Sequence, residues 1–254
     1  MYSIETEVED DGRWIAEITN LPGVLAYGAT EEEAIANAKA VARMTSLTEL
    51  LDGLMSLPRS PVKDYLKGQA IYTAGPGGLY LVTSGLVFVS RVGANGKQIG
   101  LHVTPEWFGE SSLLSSAQTL SLATEKAEAL QPTSVMYWPA FEVKQARLAS
   151  RDIDAGLMAL YALRNLEYCE RLEMMQLLCE QRTQKVLLQL AASIGTEQPG
   201  GATVLPALAH PVIAALTATT RERITTAMAD LQRKGLITYN RHEITVRTQE
   251  LRAA

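Results

Sequence analysis

Residues 219–247 read TTRERITTAMADLQRKGLITYNRHEITVR, and the parsing of the whole chain follows from them. Ile224, Ala227, Met228 and Leu231 recur at the spacing of a helix with one apolar face. Thr219 or Thr220 supplies an N-cap hydroxyl, and Gly235 stops the helix. The segment KGLITYNRHEITVR then alternates like a two-stranded hairpin turning at Asn240-Arg241. Upstream, LAHPVIAALT predicts a short helix with Pro211 in its first turn and Val212, Ile213 and Leu216 apolar. Thr217 and Ala218 turn the chain between the two helices. Strand, helix, turn, helix and hairpin over 203–247 spell a winged helix-turn-helix.

In such a motif the second helix enters the major groove of double-stranded DNA with its N-terminal end, and that end here is Thr-Thr-Arg-Glu-Arg. An arginine forks onto guanine, a glutamate accepts from cytosine, and a threonine serves a phosphate or a thymine methyl. The helix start itself favours a phosphate. The alternative is a solvated polar face on an ordinary helix. Charge supports the first reading. Residues 196–254 carry seven bases and five acids, whereas residues 1–43 carry nine acids and three bases. Contact with a polyanion therefore belongs at the C-terminal end, although the chain as a whole is acidic at −5.

The chain is 254 residues long and 47% hydrophobic, enough for two or three cores. Its two cysteines, Cys169 and Cys179, form no disulfide framework, and its three histidines have no metal-ligand spacing. The acidic start is unlike a signal peptide, and no apolar run reaches membrane-spanning length, so a cytoplasmic protein without a membrane role is expected. No nucleophile–base pair, phosphate loop or metal motif marks an enzyme, so catalytic and metal-binding residues are expected to be absent.

Four segments precede or include the motif, and together they predict an α+β chain. Residues 1–43 read as three strands and a helix. Tyr2, Ile4, Thr6 and Val8 share a face, Asp11-Gly12 turns, and Trp14, Ala16 and Ile18 continue the alternation. A second turn is expected at Asn20–Gly23. The helix is capped by Thr30 with Glu33 as capping-box partner, and its apolar face is Ala34, Ile35, Ala38, Val41 and Ala42. Residues 44–68 read as a helical connector ending at prolines 58 and 61. Short glycine-punctuated strands over 69–138 predict an antiparallel roll, which with its flanking helices occupies 44–150. Residues 151–180 predict one long helix. Met158, Ala162, Asn165, Cys169, Leu172, Gln176 and Cys179 form a heptad-like seam along it, and Leu157, Leu160 and Leu163 form a second stripe suited to the roll. Two apolar stripes need two partners, which points to a homodimer; a buried helix in a monomer is the alternative. The winged motif occupies 181–254.

Roll, long helix and winged helix-turn-helix in that order resemble the CRP/FNR family of dimeric bacterial transcription regulators over residues ~50–250. TTRERITTAMADLQRKGLI resembles the family's recognition helix, and EWFGESSLLSSAQTLSLATEKA (106–127) resembles the phosphate-binding cassette of its cyclic-nucleotide-binding roll. The resemblance implies that Arg221 reads guanine, that Glu222 reads the opposite strand, and that His210 touches a phosphate. Thr219, Thr220, Arg223 and Thr226 complete the implied DNA-binding set. Thr226 stands where the cyclic-AMP receptor protein has a further base-reading arginine, and Ala218 stands where the family's turn has glycine. For the ligand, Gly109 and Glu110 match the family's ribose-binding pair. Ser121 matches the phosphate-binding serine, and Ser111 and Ser112 lie alongside. Leu120 replaces the arginine that neutralises the phosphate. A buried phosphate lacking one such partner is weakened by ~3–5 kcal/mol, so cyclic AMP is a poor fit and another small effector, or none, is expected.

Residues 1–43 resemble a second family, the HicB-like antitoxin domain, through DGRWIAEITNLPGVLAYGATEEEAIANA. That likeness implies a protein partner for this domain. It also opens a second function, an antitoxin-like interaction module that autoregulates through its own DNA-binding domain. Met44, followed by TSLTELL, reads as a possible start, so the first 43 residues are either a recent fusion or a mis-called start.

Overall fold

The computed structural model describes residues 4–19, 24–93, 96–114, 125–198 and 201–253, the side chains of 42–46 excepted. The chain divides into two compact units, Met1–Pro58 with Phe141–Arg164, and Arg59–Ala140 with Asn165–Ala254.

The first unit opens with β1 (Ile4–Val8), β2 (Trp14–Ile18) and β3 (Leu25–Gly28), an antiparallel sheet in sequence order, followed by α1 (Glu31–Met55). The register sets Ile4 opposite Ile18, Thr6 opposite Ala16 and Val8 opposite Trp14, so the predicted face is one face. Gly12 adopts φ +83°, and the Asp11 carboxylate accepts from the Arg13 backbone N–H at 3.0 Å. Tyr2 and the Asn20–Gly23 turn lie outside the described residues. Thr30 caps α1 by accepting from Glu33 N–H at 3.2 Å, while Glu33 reaches back to Ala29 N–H at 2.7 Å, one residue earlier than a standard capping box. Ala34 and Ala38 are fully buried with Ala16, Ile18 and Val24, but Val41 is half-exposed; the side chain of Ala42 lies outside the described residues. A Cβ on Gly28 would sit 2.3 Å from Ala34 N, so β3 meets α1 through backbone.

The helix does not end near residue 43. It runs through Met44 to Met55, with Leu50 and Leu54 fully buried. The connector expected over 44–68 is thus helical only in its first half. Its second half holds β4 (Ser60–Tyr65), which contains Pro61. A proline is tolerated there because β4 is an edge strand and pairs with its neighbour across a bulge near Pro61.

The second unit continues with β5 (Ala70–Tyr72), β6 (Gly78–Ser84), β7 (Val87–Val92), β8 (Gln98–Thr104), β9 (Trp107–Phe108), a 3-10 turn (Glu110–Leu113), β10 (Glu125–Ala129) and β11 (Thr133–Pro139). Two four-stranded sheets result, β5-β10-β7-β8 and β4-β11-β6-β9, all antiparallel, as a roll requires. LYLVTSGLVFVSRV is two strands in different sheets. Gly85, at φ +98°, makes the corner, and a Cβ there would stand 2.4 Å from Thr133 Oγ1. Tyr80 stacks on Phe108 at 4.8 Å between ring centres, and Tyr72 lies 5.5 Å from Tyr80; these rings fill the interior with Val82, Val87, Val89 and Val135.

Then come α2 (Ala140–Ala149), α3 (Arg151–Met174), α4 (Cys179–Ile194), β12 (Thr196–Glu197), β13 (Ala202–Pro206), α5 (His210–Leu216), α6 (Arg221–Arg233), β14 (Ile237–Tyr239), β15 (Glu243–Arg247) and α7 (Thr248–Ala253). The long helix stops at Met174 rather than running on to 180. Met174 is fully buried in the C-terminal core with Val186, Leu187 and Ile213, and the chain turns around it. Gln176 therefore lies in the turn, and Cys179 opens α4 instead of extending the seam. Along α3 the predicted stripes separate. Leu157 and Leu160 are buried, whereas Met158, Ala162, Asn165, Cys169 and Leu172 are exposed. Leu157 and Leu160 fall in the first unit, where Ile153 packs on Gly53 of α1; the expectation that this stripe serves the roll gives way to that grouping.

Between α5 and α6, Ala218 has φ +50°, the only non-glycine with positive φ among the described residues. Left-handed backbone costs an L-residue roughly 1–2 kcal/mol, part of which glycine's larger unfolded-state entropy would offset. Ala218→Gly is therefore expected to raise stability by about 0.5–1 kcal/mol, read as a higher denaturation midpoint at unchanged slope. A lower midpoint would show that the turn is unstrained.

Candidate nucleic-acid interface and effector pocket

Ile224, Ala227, Met228 and Leu231 of α6 are all buried, and this one choice fixes what the opposite face presents. Arg221, Glu222, Arg223, Thr225 and Thr226 are exposed together at its N-terminal half. Thr220 is the cap, accepting from Arg223 N–H at 3.4 Å, and Thr219 is half-buried beside it. Thr225 and Thr226 donate their hydroxyls to the Arg221 and Glu222 carbonyls, at 3.0 and 3.2 Å, which leaves their methyl groups and oxygen lone pairs outward. The Glu222 carboxyl is held below the usual carboxylate range by its own backbone N–H, then by Thr220 and the Arg221 charge. It is a fixed acceptor at neutral pH.

His210 begins α5, with Pro211 in the first turn as the sequence suggested. Its Nδ1 lies 2.9 Å from Thr225 Oγ1, and its ring meets Tyr239 edge-on at 5.9 Å. Which of the two donates is set by the imidazole tautomer. Burial, then the Arg221 charge, pushes the imidazole below its ordinary pKa. His210 and the head of α6 thus form one continuous polar surface. The wing turn is an Asn240 cap whose Oδ1 accepts from His242 and Glu243 N–H at 2.7 and 3.1 Å.

Sequence reasoning missed what braces this surface from α4. Arg182 Nη1 donates to Thr217 O at 3.0 Å, and Cys179 Sγ lies 3.7 Å from Thr219 Oγ1. Cys179 therefore packs against the helix-turn-helix turn, while Cys169 is exposed on α3. The roll meets the same domain through Gly100 of β8. A Cβ there would lie 2.9 Å from Leu216 N, and Arg171 of α3 donates to the Gly100 carbonyl.

In the roll, Gly109 takes φ +86°, and a Cβ there would stand 2.5 Å from Gly78 O. This turn delivers Glu110, 6% exposed, to the interior at the start of the 3-10 turn. Ser112 closes the turn on Gly109 O at 2.8 Å. Ser111 faces inward and donates to the two oxygens of Glu125 at 3.1 and 3.2 Å. Leu120 and Ser121 lie outside the described residues. Glu125, absent from the sequence-based site, is 3% exposed and also accepts from Tyr72 Oη at 2.9 Å and Arg91 Nη2 at 3.4 Å. Burial, then the Glu125 charge, drives the Tyr72 phenol far above its ordinary pKa, so it stays a donor.

With this geometry in hand, likeness to known proteins is informative. Residues 62–148 match the cyclic nucleotide-binding domain, and residues 181–253 match the Crp-like helix-turn-helix domain. A CRP-like cAMP-activated global transcriptional regulator of Mycobacterium tuberculosis is 27% identical over 184 residues, 68% of this chain and 78% of its own. Among solved structures, FixK2 from Bradyrhizobium japonicum superposes with a TM-score of 0.64 at 20% identity, covering 78% of this chain and 97% of its own. The c-di-GMP responsive global regulator CLP of Xanthomonas campestris gives a TM-score of 0.63 at 17% identity, covering 78% of this chain and 99% of its own. At such identities the two structural likenesses establish the fold alone.

Proposed function

We propose that this chain, whose roll and C-terminal domain match the cyclic nucleotide-binding and Crp-like helix-turn-helix domains, is a DNA-binding transcription regulator of the CRP/FNR type, a homodimer that binds one specific DNA site through its paired recognition helices. The observation that carries this reading is the head of α6. A threonine-capped helix start exposes Arg221, Glu222 and Arg223 on the face opposite its buried Ile224 and Met228. Arg221 and Glu222 read base edges, Thr226 and Arg223 flank them, and Thr219, Thr220 and His210 hold phosphates. The exposed α3 seam supplies the second subunit, which sets two such helices about 34 Å apart in successive major grooves.

The roll is the effector domain, with Gly109, Glu110, Ser111 and Ser112 as the described part of its cassette and Ser121 beyond it. Its effector is a small molecule other than cyclic AMP. For the N-terminal domain, the βββα arrangement and the net charge of −6 over residues 1–43 support the HicB-like reading. An acidic sheet-and-helix surface suits a basic protein partner, and in that second reading DNA binding serves autoregulation.

Selection of bound duplexes from a random pool, with and without cell-extract metabolites, tests the proposal. Enrichment of an inverted repeat with half-sites about 10 base pairs apart is expected. A pool that stays random under both conditions rejects it.

A further inference from the structure

The family cassette holds the anion of its nucleotide with a cation, and the described interior of this roll has the opposite balance. Two carboxylates are buried there, Glu110 at 6% and Glu125 at 3% exposure. Arg91 is the cation that reaches Glu125, at 3.4 Å, with its own side chain 30% exposed. Glu125 arises from strand alternation. Glu125, Ala127 and Ala129 of β10 point inward, while Lys126 and Glu128 point out. The donors around the carboxylate come from three separate elements. Tyr72 belongs to β5, Arg91 to β7 and Ser111 to the 3-10 turn. Ser111 is the residue next to Glu110, so Glu125 takes a hydroxyl from within the cassette itself.

We propose that Glu125 determines the specificity of the roll: its carboxylate is a resident anion that occupies the Tyr72, Ser111 and Arg91 donors and excludes phosphate-bearing effectors. This deepens the reading of the roll as an effector domain and rests on it. A cyclic nucleotide would have to displace a carboxylate from a set of satisfied hydrogen bonds, or lie beside it as a second buried anion. Like-charge placement of that kind costs several kcal/mol. The loss of the cassette arginine at Leu120 is then a second barrier, and restoring a cation there does not suffice. With Glu125 resident, the effector class that fits carries no negative charge.

The test is calorimetry of free protein with cyclic AMP, without DNA, on Leu120→Arg, Glu125→Gln and the double variant. Glutamine keeps an Oε1 acceptor for Tyr72 and Ser111, removes the charge, and turns the oxygen that faces Arg91 into an amide donor. Leu120→Arg alone is expected to bind no better than the parent chain, and the double variant at least about tenfold tighter than Leu120→Arg. Equal affinity of the single and double variants overturns the proposal, as does a double variant that ignores cyclic AMP. Should circular dichroism show that Glu125→Gln does not fold, the parent chain itself is titrated with cyclic AMP and with its uncharged phosphate triester. Preference for the triester by about tenfold or more supports exclusion by charge, and equal binding overturns it. These readouts stand apart from DNA binding, so either reading can fail alone.

Discussion

Arg221→Ala is expected to weaken binding to the selected duplex by about 1–3 kcal/mol, roughly 5- to 150-fold, and to relax base preference at one position of each half-site. Arg221 is the first residue of α6, just past the Thr220 cap, where a side chain leaves the helix along the direction of groove entry. It is exposed, so its truncation removes no packing and the melting temperature should hold. The contrast that identifies base reading is Arg223→Ala. If Arg223 serves a phosphate, its loss weakens all sequences alike and flattens the salt dependence by about one counterion. Loss of Arg221 with unchanged selectivity would remove it as a base reader. His210, 2.9 Å from Thr225, would then be the next polar group to test on the same surface.

The helix-turn-helix was legible because its signals are local. Four apolar residues at helical spacing, a threonine cap and an asparagine turn each act within a few residues, and each appears in the structure where the pattern puts it. What escaped depends on partners far along the chain. Pro61 reads locally as the end of a helical connector, and only the pairing of β4 with β11 makes it part of an edge strand with a bulge. The run over 79–92 alternates through Gly85, and only its close approach to Thr133, 48 positions away, makes it a corner. The seam of α3 extends on paper past its end because residues 153–179 hold no proline and only one glycine, Gly156. Burial of Met174 against α4 and α5 residues ends it instead. Glu125 had a weak local signal, the alternation with Ala127 and Ala129, but its three donors are contributed by Tyr72, Arg91 and Ser111.

Leu172→Glu carries the largest expected effect on assembly. Leu172 is 70% exposed and Met158 43%, on the same helix as buried Leu157 and Leu160. Exposed large apolar residues in register with Ala162, Asn165 and Cys169 make a seam that water does not reward, and in the proposed homodimer a second copy of the same seam covers it. A carboxylate at 172 would be buried against its own symmetry mate, with no cation supplied by the seam. The variant should therefore sediment as a single subunit at micromolar concentration while the parent runs as a pair. Its own fold should change little, because the site is on the surface of each subunit. DNA affinity should fall by about a hundredfold or more, since the second half-site is then bound as a separate event. Leu172→Met, which keeps volume and polarity, should behave as the parent. A parent that sediments as a single subunit would dissolve the paired-helix reading, and so would a Leu172→Glu variant that still pairs. Each recognition helix would then be left to find its half-site alone.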